Sequence, residues 1–446
     1  MIRDAELFAK ELEKINGWWL TDKIPLPPLL ERNTLHKIID ELNDRRITQI
    51  VGPRRVGKTT LLYQSINHLI KNNIDPKNIF YCSLDDSALC ALSENLLKDS
   101  LDFFLENIAK DGKKFVFFDE LHSSKGWYKW LKSFFDRYED VKFIISGSSS
   151  LTLQKEANQY LRGRTFDMEI YPFSFQEFIE FKGLKISKMD FTDLKQAERI
   201  DISKLEKKVY PYFLEYLLVG GFPEWFNVNN VKKWFEKVLN DIPKKAIYED
   251  VANIFGIRSP KTLENVFAFI CENQSKILTY ETINEVANLH RSILLNYIEY
   301  LKSSYMIIEI PKFAKTVKEQ IKSRKKFLVV DQGIRNALLK DYEIKIENVG
   351  FIVENIVGIH AFLQGQLFYI RTNGEVDFVL RKDKTIIPIE VKYSEKPTIT
   401  KAIIEFMIEH KLDHGIIVTK NVFKQERRDN KTFYFIPAWL FVLIEL

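Results

Sequence analysis

A glycine-framed loop beginning at Gly52 carries the residues with the clearest chemistry in this sequence. It reads Gly-Pro-Arg-Arg-Val-Gly-Lys-Thr-Thr and fits the pattern G-x-x-x-x-G-K-[ST]. A β-branched run precedes the loop and a helical apolar pattern follows it, so the loop joins a strand to a helix. Backbone N–H groups in such a loop point at phosphate oxygens, and the helix N-terminus adds its positive dipole end. The nine residues that we expect to hold ATP are Gly52, Pro53, Arg54, Arg55, Val56, Gly57, Lys58, Thr59 and Thr60.

Two side chains of this loop have specific expected roles. The Lys58 ammonium would reach the β and γ phosphates, and the Thr59 hydroxyl would hold Mg²⁺. The alternative is a chance match to the pattern, which the flanking strand and helix argue against.

A pair of carboxylates, Asp119 and Glu120, follows the apolar run 115–118. Four successive apolar residues suit a strand that is buried on both faces of a parallel sheet. Ligands bind at the carboxyl ends of such strands. We therefore expect Asp119 to belong to the magnesium shell and Glu120 to orient or deprotonate the attacking water. The alternative is an Asp-Glu pair that simply ends a strand.

A further strand is expected at 141–145, and Ser146, Gly147 and three more serines follow it. A hydroxyl at this position could contact the γ-phosphate or the water, and we assign that role to Ser148. The alternative is a plain Ser/Gly turn. Another core strand is expected at 79–84. Strands that alternate with helical patterns indicate an α/β class with a doubly wound parallel sheet.

A second group of chemically active residues lies near the C-terminus. Glu390 and Lys392 are two residues apart in an apolar β run, so both side chains face the same side of the strand. Asp377 lies on the preceding strand, across a hairpin with an Asn373-Gly374 turn. Glu354 lies on a helix upstream and could complete the set. Asp377 and Glu390 would bind Mg²⁺, while Lys392 would help activate water for attack on a phosphodiester.

The spacing E-x-K is weak evidence by itself, because it also occurs at Glu180, Glu206, Glu343 and Glu409. Glu390 differs because it alone is set in an apolar β run after a strand that carries an Asp. The alternative for Asp377, Glu390 and Lys392 is an exposed, salt-bridged trio.

The composition sets bounds on these sites. The chain has 446 residues, 46% of them hydrophobic and 28% charged, with a net charge of +5 and three scattered cysteines. These values are typical of a globular protein with several domains and argue against a disulfide framework or a zinc cluster. The mild positive charge is compatible with nucleic acid without requiring it. No signal peptide or membrane-spanning run is recognisable, so we expect a cytoplasmic protein without membrane contact.

The middle of the chain is expected to connect the two sites. Residues 181–255 show helical apolar spacing and are interpreted as a helical lid over the nucleotide. Residues 256–322 are interpreted as a winged helix-turn-helix. Its recognition helix would present His290, Arg291 and Ser292 to the major groove of DNA. The alternative is a winged helix used only for packing.

These motifs together resemble a known family. Besides the loop at Gly52, the resemblance includes the segments 118–122, 147–150, 161–164, 171–178 and 218–224. Together they look like archaeal and bacterial AAA-type P-loop ATPases that are fused to a winged helix and a C-terminal PD-(D/E)xK restriction-endonuclease-like domain. The resemblance implies an ATPase core with an N-terminal extension (1–180), the lid (181–255), the winged helix (256–322) and the nuclease-like domain (323–446).

The resemblance also implies roles for two arginines and for the whole chain. Arg162 or Arg164 would act as an arginine finger, in a homo-oligomer if it reaches across a subunit contact, or else pair with a local carboxylate such as Asp167. The chain would couple ATP hydrolysis to DNA binding and metal-dependent cleavage. The alternative is a regulatory ATPase switch whose nuclease-like domain is catalytically silent and binds a partner or nucleic acid.

Overall fold

Contacts along the chain divide it into two units, Met1–Tyr171 and Pro172–Leu446. The structure is a computed structural model that describes residues 2–21, 31–147, 160–187, 189–191, 202–252, 257, 259–371 and 374–446. Ser148 and Asn373, two residues of the sequence predictions, lie outside these ranges. None of the helices within these ranges is long and apolar enough to cross a membrane.

A five-stranded sheet in the order β2-β3-β4-β1-β5 forms the centre of the first unit. All neighbouring strands are parallel. Four of the five strands, the three inner ones and the edge strand β2, are almost entirely buried, as their apolar and β-branched runs require. The strands are β1 (Ile47–Val51), β2 (Ile79–Ser83), β3 (Lys114–Asp119), β4 (Val141–Gly147) and β5 (Thr165–Glu169). The helices are α1 (Ala5–Ile15), α2 (Trp18–Thr21), α3 (Asn33–Glu41), α4 (Lys58–Lys71), α5 (Ser87–Leu92), α6 (Leu96–Asn107) and α7 (Trp127–Arg137).

This sheet confirms the predicted α/β class with a parallel-sheet core. Because the strands are parallel, their carboxyl ends lie at one edge, where the loop after β1 and the carboxylates after β3 meet. Strand β4 lies between β1 and β3, so the serine near its end is inserted between the loop and the carboxylates.

The N-terminal helices protect the edge strand β2. The Asn16 side chain exchanges hydrogen bonds with the backbone of Tyr81, at 2.7 and 2.9 Å. The indole N–H groups of Trp18 and Trp19 both donate to the carbonyl of Ile79, at 3.0 and 2.8 Å. These bonds use the backbone groups that an open edge would expose, and they fix the strand that carries Tyr81.

A six-stranded mixed sheet in the order β10-β11-β12-β13-β15-β14 dominates the second unit. Strands β12, β13 and β15 run parallel, whereas the other neighbouring pairs are antiparallel. A smaller antiparallel sheet has the order β7-β9-β8. The strands are β6 (Met189–Asp190), β7 (Ile277–Leu278), β8 (Ile307–Ile310), β9 (Lys325–Val329), β10 (Gln366–Arg371), β11 (Glu375–Lys382), β12 (Thr385–Lys392), β13 (His414–Thr419), β14 (Lys424–Arg428), β15 (Lys431–Pro437) and β16 (Ile444–Glu445).

Helices surround both of these sheets. The predicted helical character of the segment before residue 252 is seen in the described part, which ends in two π-helical stretches, Asn240–Lys244 and Ala246–Val251. The four-domain division within this chain remains a prediction. The α-helices are α8 (Phe175–Phe181), α9 (Ile202–Val219), α10 (Trp225–Val228), α11 (Val231–Leu239), α12 (Pro260–Glu272), α13 (Tyr280–Ala287), α14 (Arg291–Ser303), α15 (Val317–Lys322), α16 (Gln332–Leu339), α17 (Ile346–Phe362), α18 (Lys401–Glu409) and α19 (Ala438–Phe441).

Candidate functional sites

Two glycines of the first site, Gly52 and Gly57, occupy positions where a side chain would clash or strain the backbone. Gly57 has a φ of 99° and immediately precedes α4, so the chain turns directly into the helix N-terminus. A Cβ on Gly52 would lie 2.3 Å from the carbonyl oxygen of Ile170. The backbone of the loop therefore packs closely against Ile170, the residue that follows β5.

Lys58 lies folded across its own loop. Its ammonium donates to the carbonyl oxygens of Gly52 at 3.0 Å and Pro53 at 2.9 Å, and the side chain is almost fully buried. Arg32, the residue just before α3, donates to the carbonyl oxygen of Val56 in the same loop at 3.0 Å. It also donates to the carbonyl oxygen of Tyr171 at 2.9 Å. Two cations thus satisfy carbonyl groups of the loop and hold its shape.

Asp119 is the centre of a hydrogen-bond network at the end of β3. Its Oδ2 accepts from the Thr59 hydroxyl at 2.6 Å and from the Tyr81 hydroxyl at 3.1 Å. Its Oδ1 accepts from the Ser146 hydroxyl and from the backbone N–H of Glu120. The structure thus brings together Thr59 and Asp119, the two side chains expected at the metal, and both present oxygen atoms.

Glu120 has a strained backbone and a shifted acidity. Its φ of 49° lies in the left-handed region, which strains the backbone of a non-glycine residue. Such strained residues are common at functional sites. Burial raises the pKa of its carboxyl group, while the nearby Lys58 opposes this shift. The His122 ring nitrogen lies 3.3 Å from its carboxylate. A carboxylate with a raised pKa at this edge is suited to accept a proton from water.

The two candidate arginines differ in their surroundings. Arg164 lies 3.2 Å from the carboxylate of Asp136 and close to the ring of Phe135. It therefore pairs with a local carboxylate, which is Asp136 and not the Asp167 named from the sequence. Arg162 is exposed. Neither arginine has a described contact with the loop at Gly52 that would identify it as an arginine finger.

The second site is built on β11, β12 and α17. Asp377 lies next to Glu390 across the antiparallel pair, where its carboxylate accepts from the backbone N–H of Val391 at 2.7 Å. The Lys392 ammonium lies 2.6 Å from Glu390 Oε1, whereas Glu390 Oε2 is buried without a hydrogen-bond partner among the described residues. Glu354 comes from α17. All four predicted residues line one open cavity of about 630 Å³.

A lysine that the sequence did not single out lies beneath these residues. Lys326 is fully buried on the central strand β9 of the smaller sheet. Its ammonium lies 2.8 Å from Glu354, 3.0 Å from Glu375 and 3.8 Å from the carboxylate of Asp377, and it also donates to the Asp377 carbonyl at 3.2 Å. Strand β9 is thus tied to the acidic residues through a single cation.

Burial sets the acidity of this group. Burial and the nearby Asp377 carboxylate raise the pKa of Glu354 to about 8. The same two causes raise the pKa of Glu390 to about 7, against the opposing effect of Lys392. Although burial opposes it, the surrounding carboxylates raise the pKa of Lys326, so this lysine stays charged. Full ionisation of these carboxyl groups therefore requires a cation beside them.

The residues expected to meet DNA lie at the start of α14. His290 caps this helix and contacts Ser292, while the exposed Arg291 pairs with Glu281 at 3.2 Å. They lie together on the surface, and whether they contact DNA remains a prediction.

Comparison with known proteins bears on the first site. The family described as AAA domain matches residues 44–179, the region that holds the loop, Asp119 and Glu120. An uncharacterized protein of Methanocaldococcus jannaschii is 30% identical over 390 residues, which cover 84% of this chain and 81% of that protein. The chain belongs to the same family as this archaeal protein and contains an AAA-type ATPase domain.

Other matches extend over the rest of this ATPase. Residues 210–343 and 349–441 match two domains of unknown function, DUF8612 and DUF4143. An uncharacterized protein of Haemophilus influenzae is 24% identical over 421 residues, which cover 92% of this chain and 97% of that protein. Among solved structures, AMPPCP-bound DnaA from Aquifex aeolicus is 16% identical, covers 60% of this chain and 86% of its own, and has a TM-score of 0.26.

Several residues of the ATPase site were not found from the sequence. Ser146 lies at the start of the serine run but was assigned no role, and the role expected of Ser148 stays a prediction because Ser148 lies outside the described residues. Tyr81 faces Asp119 only because β2 pairs with β3 in one register, with Tyr81 opposite Phe117 and Ser83 opposite Asp119. No local pattern marks Arg32, because its partners Val56 and Tyr171 are far away in sequence.

Proposed function

We propose that this ATPase acts on DNA and that its C-terminal residues form a metal-dependent phosphodiester-cleaving site of the restriction-endonuclease type. The observation that supports the proposal is that Glu354, Asp377, Glu390 and Lys392 line the same cavity. Two carboxylates beside a lysine, next to a space large enough for a nucleotide, suit hydrolysis of a phosphodiester.

The donor set of this cavity fits Mg²⁺. Across the described residues no group of three or more His, Cys, Asp or Glu side chains forms a ready metal cage. Mg²⁺ does not require one, because it is usually bound through one or two carboxylates together with waters and substrate phosphates. Asp377 and Glu390 would hold it, with the buried and unpartnered Oε2 of Glu390 as the clearest vacant ligand atom. The ion would supply charge for the developing phosphorane and lower the pKa of bound water.

The protein residues would do the rest of the chemistry. Lys392, hydrogen-bonded to Glu390, would orient the attacking water and stabilise the negative charge that develops on the phosphate. Glu354, whose pKa is raised to about 8, could accept or return a proton near neutral pH.

At the ATPase site, the residues around Asp119 suit binding and hydrolysis of ATP. Thr59 and Asp119 would hold Mg²⁺, since both present oxygen atoms that are within 2.6 Å of each other. We infer that Lys58 turns from the carbonyls of Gly52 and Pro53 to the β and γ phosphates. Glu120 would take the proton of the attacking water, and Ser146 would keep Asp119 in place.

Contact with DNA would come from the segment between the two catalytic regions. Helix α12, strand β7, helices α13 and α14 and then strands β8 and β9 follow one another in the chain, and the three strands form one sheet, which is the element order of a winged helix. The exposed start of α14, with His290, Arg291 and Ser292, would enter the major groove. ATP hydrolysis would then change how this segment and the cavity engage DNA. We propose a cytoplasmic location for this role.

Cleavage assays test the proposal. The wild type should cut at least one of duplex, single-stranded or branched DNA with Mg²⁺ or Mn²⁺. Glu390→Ala and Lys392→Ala should reduce the cleavage rate by about 10²-fold or more while ATP hydrolysis is retained. The matched control is Glu409→Ala, because Glu409 has the same E-x-K spacing but is exposed and pairs only with Lys315 among the described ion pairs. If the wild type cuts none of these substrates, the cleavage proposal fails.

A second candidate function is a regulatory ATPase whose C-terminal cavity is catalytically silent. The observation in its favour is Lys326, because a buried ammonium already neutralises part of the acidic cluster. A silent cavity predicts nucleic-acid or partner binding without cleavage, and the same Glu390→Ala variant would then change nothing but affinity.

A further inference from the structure

The 630 Å³ cavity contains more polar groups than the four predicted catalytic residues need. Its lining includes four acidic side chains and four basic ones, and the basic ones outside the catalytic set are Lys276, Arg371 and Lys401. These cations come from three different segments: the turn before β7, the end of β10 and the start of α18. A cavity with an acidic centre and cations on its walls suits a ligand that carries several phosphates and binds over a metal.

Unsatisfied hydroxyl groups point to the same kind of ligand. Ser275 lines the cavity and is only 3% exposed, yet its Oγ has no hydrogen-bond partner within the part of the chain that the structure describes. Thr400 also lines the cavity, and its Oγ1 is likewise buried and unpartnered among those residues. Buried hydroxyls are normally hydrogen-bonded, and both of these can donate to a phosphate oxygen.

The start of α18 adds backbone N–H donors to the lining of the cavity. Thr400 is the N-cap residue of the nine-residue helix, but its side chain does not cap the helix N–H groups. The first residues of the helix, Lys401 and Ala402, line the cavity. Uncapped N–H groups at a helix N-terminus bind anions, and here they lie beside a lysine and an unpartnered hydroxyl.

An aromatic ring completes the cavity. Phe351 is 42% exposed although it lines the cavity, and it lies on α17 one turn before Glu354. The Lys276 ammonium lies 5.2 Å from its ring centroid. An exposed ring beside cations is the platform on which proteins stack the bases of single strands.

We propose that this cavity binds a single strand of nucleic acid, with phosphates beside Lys276, Arg371 and Lys401 and a base stacked on Phe351. The inference rests on the proposed function, because it names the substrate of the cleavage site. The volume supports a strand over a duplex, since about 300–1,000 Å³ is the usual size of pockets that enclose one small ligand. Ser275 and Lys276, which precede β7, contribute one wall, so the site needs the segment before the six-stranded sheet.

A binding assay with the full chain tests this proposal without requiring cleavage. The probe is a fluorescent single-stranded DNA of about 12 nucleotides, within the usual site sizes of single-strand binding proteins. Binding is followed by anisotropy in Ca²⁺, which carboxylates also bind, and the probe is checked on a denaturing gel to be intact. The same sequence as a blunt duplex and as RNA gives the comparison arms.

We expect the single strand to bind at least about 10-fold more tightly than the duplex. Phe351→Ala should weaken single-strand binding by about 5- to 100-fold, the range for loss of one base–aromatic stack. Ser275→Ala should also weaken binding, yet leave thermal stability unchanged or slightly higher, because it removes an unsatisfied buried hydroxyl. Arg371→Ala should lower the slope of log affinity against log salt by about 0.7 for one lost phosphate contact.

Two control variants match these changes. Ile346→Ala alters an apolar residue on the same helix that is 93% exposed and outside the cavity. Arg427→Ala removes an exposed cation on β14. Neither should change affinity or its salt dependence by more than about 2-fold, as expected for surface residues away from the site.

The outcomes separate this proposal from the cleavage proposal. If Phe351→Ala and Ser275→Ala bind the single strand as the wild type does, or if the duplex binds equally well, the single-strand site is refuted even if the wild type cuts DNA. If these variants lose binding but the wild type never cuts, the single-strand site stands and the cleavage proposal fails. Equal binding of RNA and DNA supports a site that reads phosphates and bases and not the sugar.

Discussion

Replacing Lys326 with methionine would remove the buried ammonium that Glu354, Glu375 and Asp377 share. The side chain is fully buried, and methionine has a similar length and apolar stem. The carboxylates would remain in place without their counter-charge. Breaking a buried ion pair by removing one partner typically costs about 3–5 kcal/mol of unfolding free energy. We expect a loss in this range for Lys326→Met in the absence of divalent metal.

The loss should depend on pH and on metal. Burial and Asp377 already raise the pKa of Glu354 to about 8, so below this pH Glu354 can become neutral by taking up a proton. The cost of the substitution should therefore be larger at about pH 9 than at about pH 6.5. A divalent cation can replace the lost charge, so millimolar Mg²⁺ should stabilise Lys326→Met by at least about 1 kcal/mol more than it stabilises the wild type.

The assay is denaturant unfolding combined with hydrogen exchange of peptides from α17 and β11, each in EDTA and in Mg²⁺. The control is Lys325→Met, because Lys325 is also buried on β9 but has Glu309 at 3.9 Å as its described ion-pair partner. That variant should lose only about 1 kcal/mol, because Glu309 keeps Lys302 at 3.1 Å as a counter-charge, and it should show no additional response to Mg²⁺. A loss below about 1 kcal/mol for Lys326→Met, or an equal Mg²⁺ response in all three proteins, would refute the reasoning.

Three further predictions concern other parts of the chain. Glu120→Gln should bind ATP as the wild type does but hydrolyse it about 10²–10⁴-fold more slowly. The control Glu139→Gln, at an exposed position, should hydrolyse ATP at the wild-type rate. Equal rates for Glu120→Gln and the wild type in a phosphate-release assay would exclude Glu120 as the base. Gly52→Ala should weaken ATP affinity at least about 10-fold, because the new Cβ would lie 2.3 Å from the carbonyl oxygen of Ile170. The control Gly350→Ala adds a Cβ where no atom lies within 4 Å, so its ATP affinity should equal that of the wild type. Unchanged affinity of Gly52→Ala in nucleotide titrations would contradict this prediction. Burial raises the pKa of the Asp331 carboxyl group to about 6, so protonated Asp331 stabilises the fold below about pH 4 and this stabilisation is lost as the pH rises through 6. The unfolding free energy of the wild type, compared with that of Asp331→Asn, should therefore fall by up to about 3 kcal/mol between these pH values. A difference between the two proteins that does not change with pH would contradict this prediction.

The sequence predicted most of the first site because its signals are local. The loop at Gly52 and the carboxylates at Asp119 and Glu120 each follow an apolar run, and the carboxyl ends of parallel strands share an edge. Nothing local reveals which strand lies beside which. Tyr81 and Ser146 bond to Asp119 because β2 and β4 both flank β3, and that order is decided by packing of the whole sheet.

Lys326 shows where sequence reasoning failed and why. It ends the basic run 312–326, whose composition is typical of a solvated surface segment. Three carboxylates that lie 28 to 51 residues downstream make burial of this charge possible. Composition cannot distinguish such a lysine from its solvated neighbours, because its partners are brought to it only by the folded sheet.

The most direct test of the central claim is whether ATP hydrolysis controls DNA cleavage. The measurement is the initial rate of Mg²⁺-dependent DNA cleavage with saturating ATP in the wild type and in Glu120→Gln, with Asp377→Asn as the variant altered at the C-terminal cavity. The account predicts that Asp377→Asn hydrolyses ATP but does not cut, and that Glu120→Gln cuts at a clearly different rate from the wild type. Equal cleavage rates in the wild type and Glu120→Gln, or unchanged cleavage in Asp377→Asn, would contradict it.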